Sequence, residues 1–71
     1  MSEIELLQLF STNLRELMKE EKITQEDLAN EIGIDQSMIS RYVNGQSLPS
    51  LLTTIKIADV LFCSLDDFIA K

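Results

Sequence analysis

The sequence has no histidine and only one cysteine, Cys63, among its 71 residues. One cysteine cannot form an internal disulfide, and without histidine the chain cannot assemble a zinc site from the usual four Cys and His ligands. It also lacks a histidine base and a Gly-rich phosphate-binding loop. A core this small leaves no room for a pocket of ordinary size. We therefore expect no metal, no cofactor and no small-molecule ligand.

Long apolar runs are absent as well. The longest helical pattern carries charges throughout, so no segment is expected to span a bilayer. Met1 is followed by Ser2, Glu3 and Glu5 instead of a basic stretch and an apolar run, so we expect no secretory signal. The length predicts a single domain, residues 1–71, without room for a second, effector-binding domain. These features predict a cytoplasmic protein that does not contact membranes.

Basic residues are scarce: six Lys and Arg stand against twelve Asp and Glu, and the net charge is −6. A DNA-binding domain usually has a basic surface, so this balance argues against nucleic acid as a partner. The distribution weakens the objection, since the segment from Gln36 to Ala58 has no acidic residue and keeps Arg41 and Lys56. The screening length at physiological salt is about 8 Å, so distant carboxylates would be largely screened at a surface built from this segment.

Carboxylates are the remaining candidates for catalysis, because acidic residues occur as adjacent pairs. The pairs are Glu20-Glu21, Glu26-Asp27 and Asp66-Asp67. Neighbouring residues on a helix point about 100° apart, so the two carboxylates of a pair do not converge on one substrate. Solvated helix ends explain the pairs better, and we predict that the protein is not an enzyme.

The most informative stretch is TQEDLANEIGIDQSMISRYVNG, residues 24–45. Apolar residues recur at helical spacing on both sides of Gly33, namely Leu28, Ala29 and Ile32 before it and Ile39, Tyr42 and Val43 after it. Gly33 fits the position after a helix end, where the left-handed backbone conformation costs little free energy only for a residue without a Cβ. Thr24 and Asp35 each precede one pattern and can cap the helix that follows. The stretch predicts a helix-turn-helix.

Three further helical segments are predicted around this motif. The first runs from about Glu3 to Glu21, and its core stripe consists of Leu7, Phe10, Leu14, Leu17 and Met18. Leu6 and Leu9 lie off the stripe, which indicates either a wide-faced first turn or a contact surface for a second copy. A later helix starts near Ser50, and its inward residues are expected to be Leu51, Ile55, Ala58 and Leu61. Ser64 and Asp67 resemble a capping box that opens a short last helix over 65–69. Five helices without a strand signal predict an all-α domain.

Fixed spacings along most of the chain carry a family resemblance. The motifs are TQEDLA, Ile32-Gly33-Ile34, Ser37, Ile39-Ser40, Asn44-Gly45, Pro49-Ser50, Ile57-Ala58, Leu61 and Ser64-Leu65. From Phe10 to Phe68 the sequence resembles the phage repressor and Cro-like helix-turn-helix family, which includes bacterial regulators of the xenobiotic-response-element type. The resemblance implies a compact five-helix, lambda-repressor-like DNA-binding domain whose third helix enters the major groove. Members commonly act as dimers on two-fold operators.

In such motifs the N-terminal part of the recognition helix meets base edges. The predicted base-contacting residues are Gln36, Ser37, Ser40 and Arg41. Gln36 can pair with adenine through two hydrogen bonds and Arg41 can do so with guanine, and each such pair is worth about 1–3 kcal/mol of discrimination. The resemblance also marks Gln36 as base-contacting. Met38 has two open roles, contact with a thymine methyl or packing.

Phosphate contacts are expected from helix starts and from the loop after the recognition helix. The predicted residues are Gln25, Asn44, Gln46, Ser47 and Ser50. Gln25 lies in the first turn of the second helix, where free N–H groups favour an anion, and the resemblance assigns its counterpart to the DNA backbone. Asn44 can instead be a plain helix-ending residue and Ser50 a plain cap, and these roles are compatible with phosphate contact.

The sequence departs from the family pattern at several positions. Many relatives have an arginine at the position of Met18 and a glutamate at that of Val43, which form an ion pair; replacing both by apolar residues can preserve the fold. Phe62 stands where a glycine is usual. It is followed by Cys63, which is read as a small buried apolar residue or, alternatively, a redox sensor. We expect Phe62 and Leu52 to form an exposed apolar patch for a second copy.

These observations predict a sequence-specific DNA-binding transcriptional regulator of a bacterium, phage or mobile element. We expect it to repress transcription as a homodimer that binds double-stranded DNA in the major groove. The alternative is a protein-interaction module of the same fold, antitoxin-like or a scaffold, with little DNA affinity. The net charge favours the alternative, and the set of Gln36, Ser37 and Arg41 opposes it.

Overall fold

The computed structural model describes residues 1–71 and contains four α-helices and one 3-10 helix. The α-helices are α1 (Glu3–Glu20), α2 (Gln25–Ile32), α3 (Gln36–Val43) and α4 (Leu51–Val60), and the 3-10 helix is Leu65–Phe68. The all-α fold is confirmed, but the predicted count of five helices is wrong, since the last element is a single 3-10 turn. None of the helices combines the length and the hydropathy that a membrane span requires.

Polar side chains begin three of the α-helices. Ser2 accepts a hydrogen bond from the N–H of Glu5 at 3.1 Å, and Thr24 accepts one from Asp27 at 3.1 Å. Ser50 accepts from the N–H of Thr53 at 3.2 Å. Such caps satisfy N–H groups that have no partner within the helix.

The capping prediction for Asp35 is wrong, whereas the last helix has its predicted capping box but is a 3-10 helix. Asp35 occupies the N-cap position of α3, but its side chain makes no capping hydrogen bond. At the 3-10 helix the Ser64 N–H donates to the Asp67 carboxylate at 2.9 Å, as a capping box requires. The Ile69 N–H then donates to the Asp66 carbonyl at 3.1 Å, three residues back, so the turn keeps 3-10 geometry.

All four α-helices are followed by a residue with a left-handed backbone. These residues are Lys22 (φ 55°), Gly33 (φ 76°), Gly45 (φ 71°) and Phe62 (φ 54°). After α4, the Cys63 N–H donates to the Ala58 carbonyl at 3.0 Å, which is the backbone bond of a Schellman-type helix end. Glycine adopts this conformation freely, whereas a residue with a Cβ pays about 1–2 kcal/mol. Lys22 and Phe62 are therefore strained.

One hydrophobic core joins all five elements. Its buried apolar side chains are Phe10, Leu14, Met18, Leu28, Ala29, Ile32, Ile39, Tyr42, Val43, Ile57, Ala58, Leu61 and Phe68. Helix α3 packs against α2 and α1, and α4 packs against α2. The Phe10 and Phe68 rings lie 5.0 Å apart between centroids, which ties the 3-10 helix to α1. The first turns of α1 are wide-faced, since Leu6, Leu7 and Leu9 are all half-buried.

The predicted inward face of α4 is only half right. Ala58 and Leu61 are buried as expected, whereas Leu51 and Ile55 are 68% and 48% exposed and Ile57 is buried in their place. The sequence of α4 is apolar on nearly every side, so its periodicity fits two rotations of the helix about its axis. Packing against α2 selects the rotation that buries Ile57.

Cys63 is a half-buried free thiol packed against the core. Burial raises the pKa of the Cys63 thiol, and the nearby carboxylates of Asp67 and Glu21 raise it further. The reactive thiolate is thereby disfavoured, which supports the packing role over redox sensing.

Candidate nucleic-acid interface

Helix α3 presents a polar side to solvent and an apolar side to the core. Ile39, Tyr42 and Val43 are buried. The predicted base-contacting residues lie on the opposite side at helical spacing: Gln36, Ser37 and Arg41 are exposed, and Ser40 is half-buried. The structure therefore brings all four onto one surface about two helical turns long. Met38 is half-buried against the core, as its packing role requires.

The backbone of α3 is fixed at its N-terminal end by the turn from α2. Gly33 has φ 76°, and the Ile34 N–H donates to the Ala29 carbonyl at 3.1 Å. Nothing lies within 4 Å of a Cβ built at Gly33, so this glycine is required by its backbone conformation and not by lack of space. The corner sets the direction in which α3 leaves α2.

Arg15 of α1 fixes the other end of α3. Its Nη1 donates to the Val43 carbonyl at 2.6 Å, and its Nη2 donates to the Thr12 hydroxyl at 3.4 Å. The last carbonyls of a helix lack partners within the helix, and a cation there is favoured by the helix dipole. Met18 and Val43, which replace the family's ion pair, are both buried at 6% exposure. Arg15 thus supplies a polar link between α1 and α3 beside an apolar contact.

Two cations of α1 extend the surface and were not identified from the sequence. Arg15 and Lys19 line one shallow groove together with Thr24, Gln25 and Val43. This groove places both positive charges between the start of α2 and the end of α3. Their spacing of four residues indicates a shared side of α1. The sequence does not show that this side borders the helix-turn-helix, because that depends on how α1 packs.

Three of the predicted phosphate-contacting residues are placed at helix boundaries or in the loop. Gln25 is the first residue of α2 and is half-buried. Asn44 ends α3 as its C-cap, and its side-chain amide donates to the Ser40 hydroxyl at 3.3 Å. Gln46 is exposed just beyond. The helix-ending role of Asn44 is therefore seen directly, and its amide also contacts Ser40, one of the predicted base-contacting residues.

The two predicted serines of the loop differ in their surroundings. Ser50 is the N-cap of α4, and its hydroxyl also donates to the Thr53 hydroxyl at 3.1 Å. Ser47 has a buried hydroxyl without a hydrogen-bond partner. Ser50 is exposed and can rotate toward a phosphate, whereas Ser47 would first have to bring its hydroxyl out to the surface.

The surface from α3 to the start of α4 carries no acidic residue, and the nearest along the chain, Asp35, is exposed before Gln36. Nowhere do three or more side chains of His, Cys, Asp or Glu gather in a way that could hold a metal ion. The arrangement therefore offers hydrogen-bond donors and acceptors together with the positive charges of Arg15, Lys19 and Arg41.

Comparison with known proteins gives three informative similarities. The profile of the helix-turn-helix family matches residues 14–68. The chain is 36% identical over 58 residues to YqaE, an uncharacterized HTH-type transcriptional regulator of Bacillus subtilis strain 168, and this match covers 82% of the chain. It is 38% identical over 48 residues, or 68% of the chain, to the cryptic phage CTXphi transcriptional repressor RstR of Vibrio cholerae. These matches confirm the resemblance inferred from the motifs.

A solved structure agrees with the fold. The restriction-modification controller protein C.AhdI of Aeromonas hydrophila superposes with a TM-score of 0.81 at 32% identity, and the match covers 87% of this chain and 94% of that protein. YqaE and RstR are longer, since the matched regions cover 50% and 43% of their lengths. The chain thus spans about half the length of these two relatives.

Proposed function

This chain belongs to the helix-turn-helix family, and we propose that it is a sequence-specific DNA-binding transcriptional regulator that represses by occupying a promoter site. The observation that carries the proposal is the exposed side of α3. Gln36, Ser37 and Arg41 project from a helix whose opposite side is buried and whose two ends are fixed. Their side chains make no hydrogen bond within the protein and are free to bind base edges.

The base contacts follow from the chemistry of these side chains. The Gln36 amide can donate to and accept from adenine in the major groove, and the Arg41 guanidinium can donate twice to guanine. Ser37 and Ser40 supply hydroxyls that can pair with several bases. Gln36 lies at the N-terminal end of α3, which is the part of a recognition helix that reaches deepest into the groove.

Phosphate contacts would position α3 on the duplex. We assign this role to Gln25, Asn44, Gln46, Ser47 and Ser50, and we add Arg15 and Lys19 because they border Gln25. Most of these groups are neutral donors, which suit a domain with a net charge of −6. Non-specific affinity would then be low, and specificity would depend on base contacts and on two copies binding together.

The proposed binding unit is a homodimer on a two-fold operator. A recognition helix of eight residues reads few base pairs, so two copies on adjacent half-sites would multiply the discrimination. Half-sites would lie about 34 Å apart, one turn of the double helix.

The test is selection of binding sites from random duplex DNA at low salt, followed by anisotropy titration of the enriched site. Gln36→Ala and Arg41→Ala are each expected to weaken binding about 5- to 150-fold, equivalent to the 1–3 kcal/mol of a base contact. Gln8→Ala and Lys71→Ala are matched controls, because Gln8 and Lys71 line a groove elsewhere that contains no residue of the proposed interface. They should leave affinity for the selected site within about twofold. Failure to enrich any site with folded protein would contradict the proposal.

A second candidate, a protein-interaction module of the same fold with little DNA affinity, is favoured by the net charge of −6. Its expected signature differs in the same experiment. No site would be enriched, and the four alanine variants would behave alike on DNA.

A further inference from the structure

We propose that Asn44 is a positioning residue that presents the Ser40 hydroxyl as a hydrogen-bond donor, so that Ser40 reads a base with an acceptor in the major groove. This role, which rests on the proposed function, narrows the set of bases that Ser40 can recognise. The supporting observation is one contact across the last turn of α3, where the Asn44 side-chain amide donates to the Ser40 hydroxyl oxygen at 3.3 Å.

The backbone holds Asn44 in place for this contact. The Asn44 N–H donates to the Ser40 carbonyl at 3.0 Å, so residue 44 contacts residue 40 through both its backbone and its side chain. The loop beyond is tied to the same helix, because the Gln46 N–H donates to the Arg41 carbonyl at 2.9 Å. The position of the Asn44 amide relative to Ser40 is therefore set by the fold of the free protein.

The Ser40 hydroxyl keeps its own proton available. A serine hydroxyl has one O–H donor and two acceptor lone pairs, and the Asn44 amide occupies one of these lone pairs. The Thr54 hydroxyl of α4 differs, because it donates to the Ser50 carbonyl four residues earlier at 2.7 Å. Ser40 makes no such bond to α3, and it lies half-buried on the side of α3 that carries the predicted base-contacting residues. Its proton can therefore be donated to a bound partner.

The free proton decides which base edges Ser40 favours. A hydroxyl that already accepts an N–H is polarised, and this strengthens the hydrogen bond that its own proton makes. Guanine, adenine and thymine each present an acceptor in the major groove, whereas cytosine presents only its N4 amino donor. Ser40 should therefore favour the first three bases over cytosine at the position that it faces.

Asn44 can orient Ser40 and contact a phosphate at the same time. Its amide nitrogen carries two N–H groups, and the Ser40 hydroxyl uses one of them. The other N–H can donate to a phosphate, which is the role already proposed for Asn44. One side chain would then join a contact to the DNA backbone with a contact that reads a base.

Binding-site selection with three variants tests the assignment. Ser40→Ala should lose the base preference at one position of the selected site, which identifies the base that Ser40 faces, and should weaken binding about threefold to tenfold. Asn44→Ala should reduce the preference at that same position, because the Ser40 hydroxyl is then free to rotate. Asn44→Asp should reverse it toward cytosine, since the carboxylate accepts the Ser40 proton and leaves only lone pairs for the base.

Gln46→Ala and Gln46→Glu are the matched controls, because Gln46 has the same amide group in the same loop and is exposed. Gln46→Glu adds the same negative charge as Asn44→Asp. Both charged variants should weaken binding to every sequence, but only Asn44→Asp should change the preferred base. A preference that stays the same in Asn44→Ala and in Asn44→Asp would overturn the proposal. So would a selected site that Ser40→Ala leaves unchanged.

A measurement without DNA separates this proposal from the proposed function. In the NMR spectrum of the free protein, Ser40→Ala should shift the side-chain amide resonances of Asn44. Ser37→Ala, one turn further from Asn44 on the same helix, should leave them unchanged. Resonances that do not respond to Ser40→Ala would refute the positioning role even in a protein that selects a DNA site. If they do respond but no site is enriched, the regulator is refuted, and the base preference assigned to Ser40 falls with it.

Discussion

Gly33 and Gly45 have nearly the same backbone conformation but different surroundings. Both have a positive φ, 76° and 71°. Gly33 directly follows α2, whereas Gly45 follows α3 after the C-cap residue Asn44. A Cβ at Gly33 would meet nothing within 4 Å, whereas a Cβ at Gly45 would lie 3.3 Å from the Ser11 hydroxyl oxygen. That hydroxyl is held by a hydrogen bond to the Gln8 carbonyl at 3.0 Å. Close packing against α1 is therefore an additional reason for glycine at position 45.

This difference gives a matched pair of variants. Gly33→Ala is expected to lower the free energy of unfolding by the backbone strain alone, about 1–2 kcal/mol. Gly45→Ala should lower it further, because the Ser11 hydroxyl must also shift. Urea titration measures both values. Adding Ser11→Ala to Gly45→Ala should recover the excess but not the strain, and equal losses in the two single variants would contradict this account.

At the scale of the helices, local signals predicted most of what the structure contains. Hydrophobic spacing predicted the bounds of α1, and Thr24 and Gly33 predicted those of α2, to within about a residue. Helix-end signals such as Thr24 and Gly33 act through backbone groups of the helix itself. The rotation of α4 was not predictable in the same way. Its sequence is apolar on most sides, and only contact with α2 decides that Ile57 faces inward and Ile55 outward.

The residues of the candidate site were likewise predictable where local helical spacing decides their position, and not where packing between distant elements decides it. The exposed side of α3 was predictable from helical spacing, since buried Ile39 and Tyr42 fix which side faces solvent. The contribution of α1 was not, because the neighbours of Arg15 and Lys19 come from elements far along the chain. The withdrawal of the Ser47 hydroxyl from solvent also depends on loop packing that no local pattern specifies.

The link between α1 and the end of α3 gives a prediction at this scale. Arg15→Ala removes the hydrogen bond to the Val43 carbonyl. The free energy of unfolding should fall by only about 1 kcal/mol, because the Arg15 side chain is exposed to solvent. The end of α3 should also fray, so hydrogen exchange of the Asn44 and Gln46 amides should quicken. Lys19→Ala, one turn along α1, removes the same charge without this bond. It should change stability by less than about 0.5 kcal/mol, and equal effects of the two variants would contradict the capping role.

For the whole molecule, the arrangement of charge matters more than its sum. The net charge is −6, yet α3 and the loop after it carry no acidic residue, and Arg15, Lys19 and Arg41 are the cations near the proposed DNA surface. Each phosphate that a cation neutralises contributes about −0.9 to the slope of log affinity against log salt. Three cations predict a slope of about −3 for each bound copy.

Two variants, at residues that border the same groove, test which contacts contribute to that salt dependence. Lys19→Ala should make the slope shallower by about one unit, because one fewer counterion is released. Gln25→Ala should lower affinity at every salt concentration and leave the slope unchanged, because a neutral amide donates a hydrogen bond without displacing an ion. Anisotropy titrations of the selected duplex from 50 to 200 mM salt, about the range over which this effect is large, measure both quantities. An unchanged slope in Lys19→Ala would remove α1 from the interface. A change of slope in Gln25→Ala would show that the loss of a neutral contact moves a cation away from the DNA.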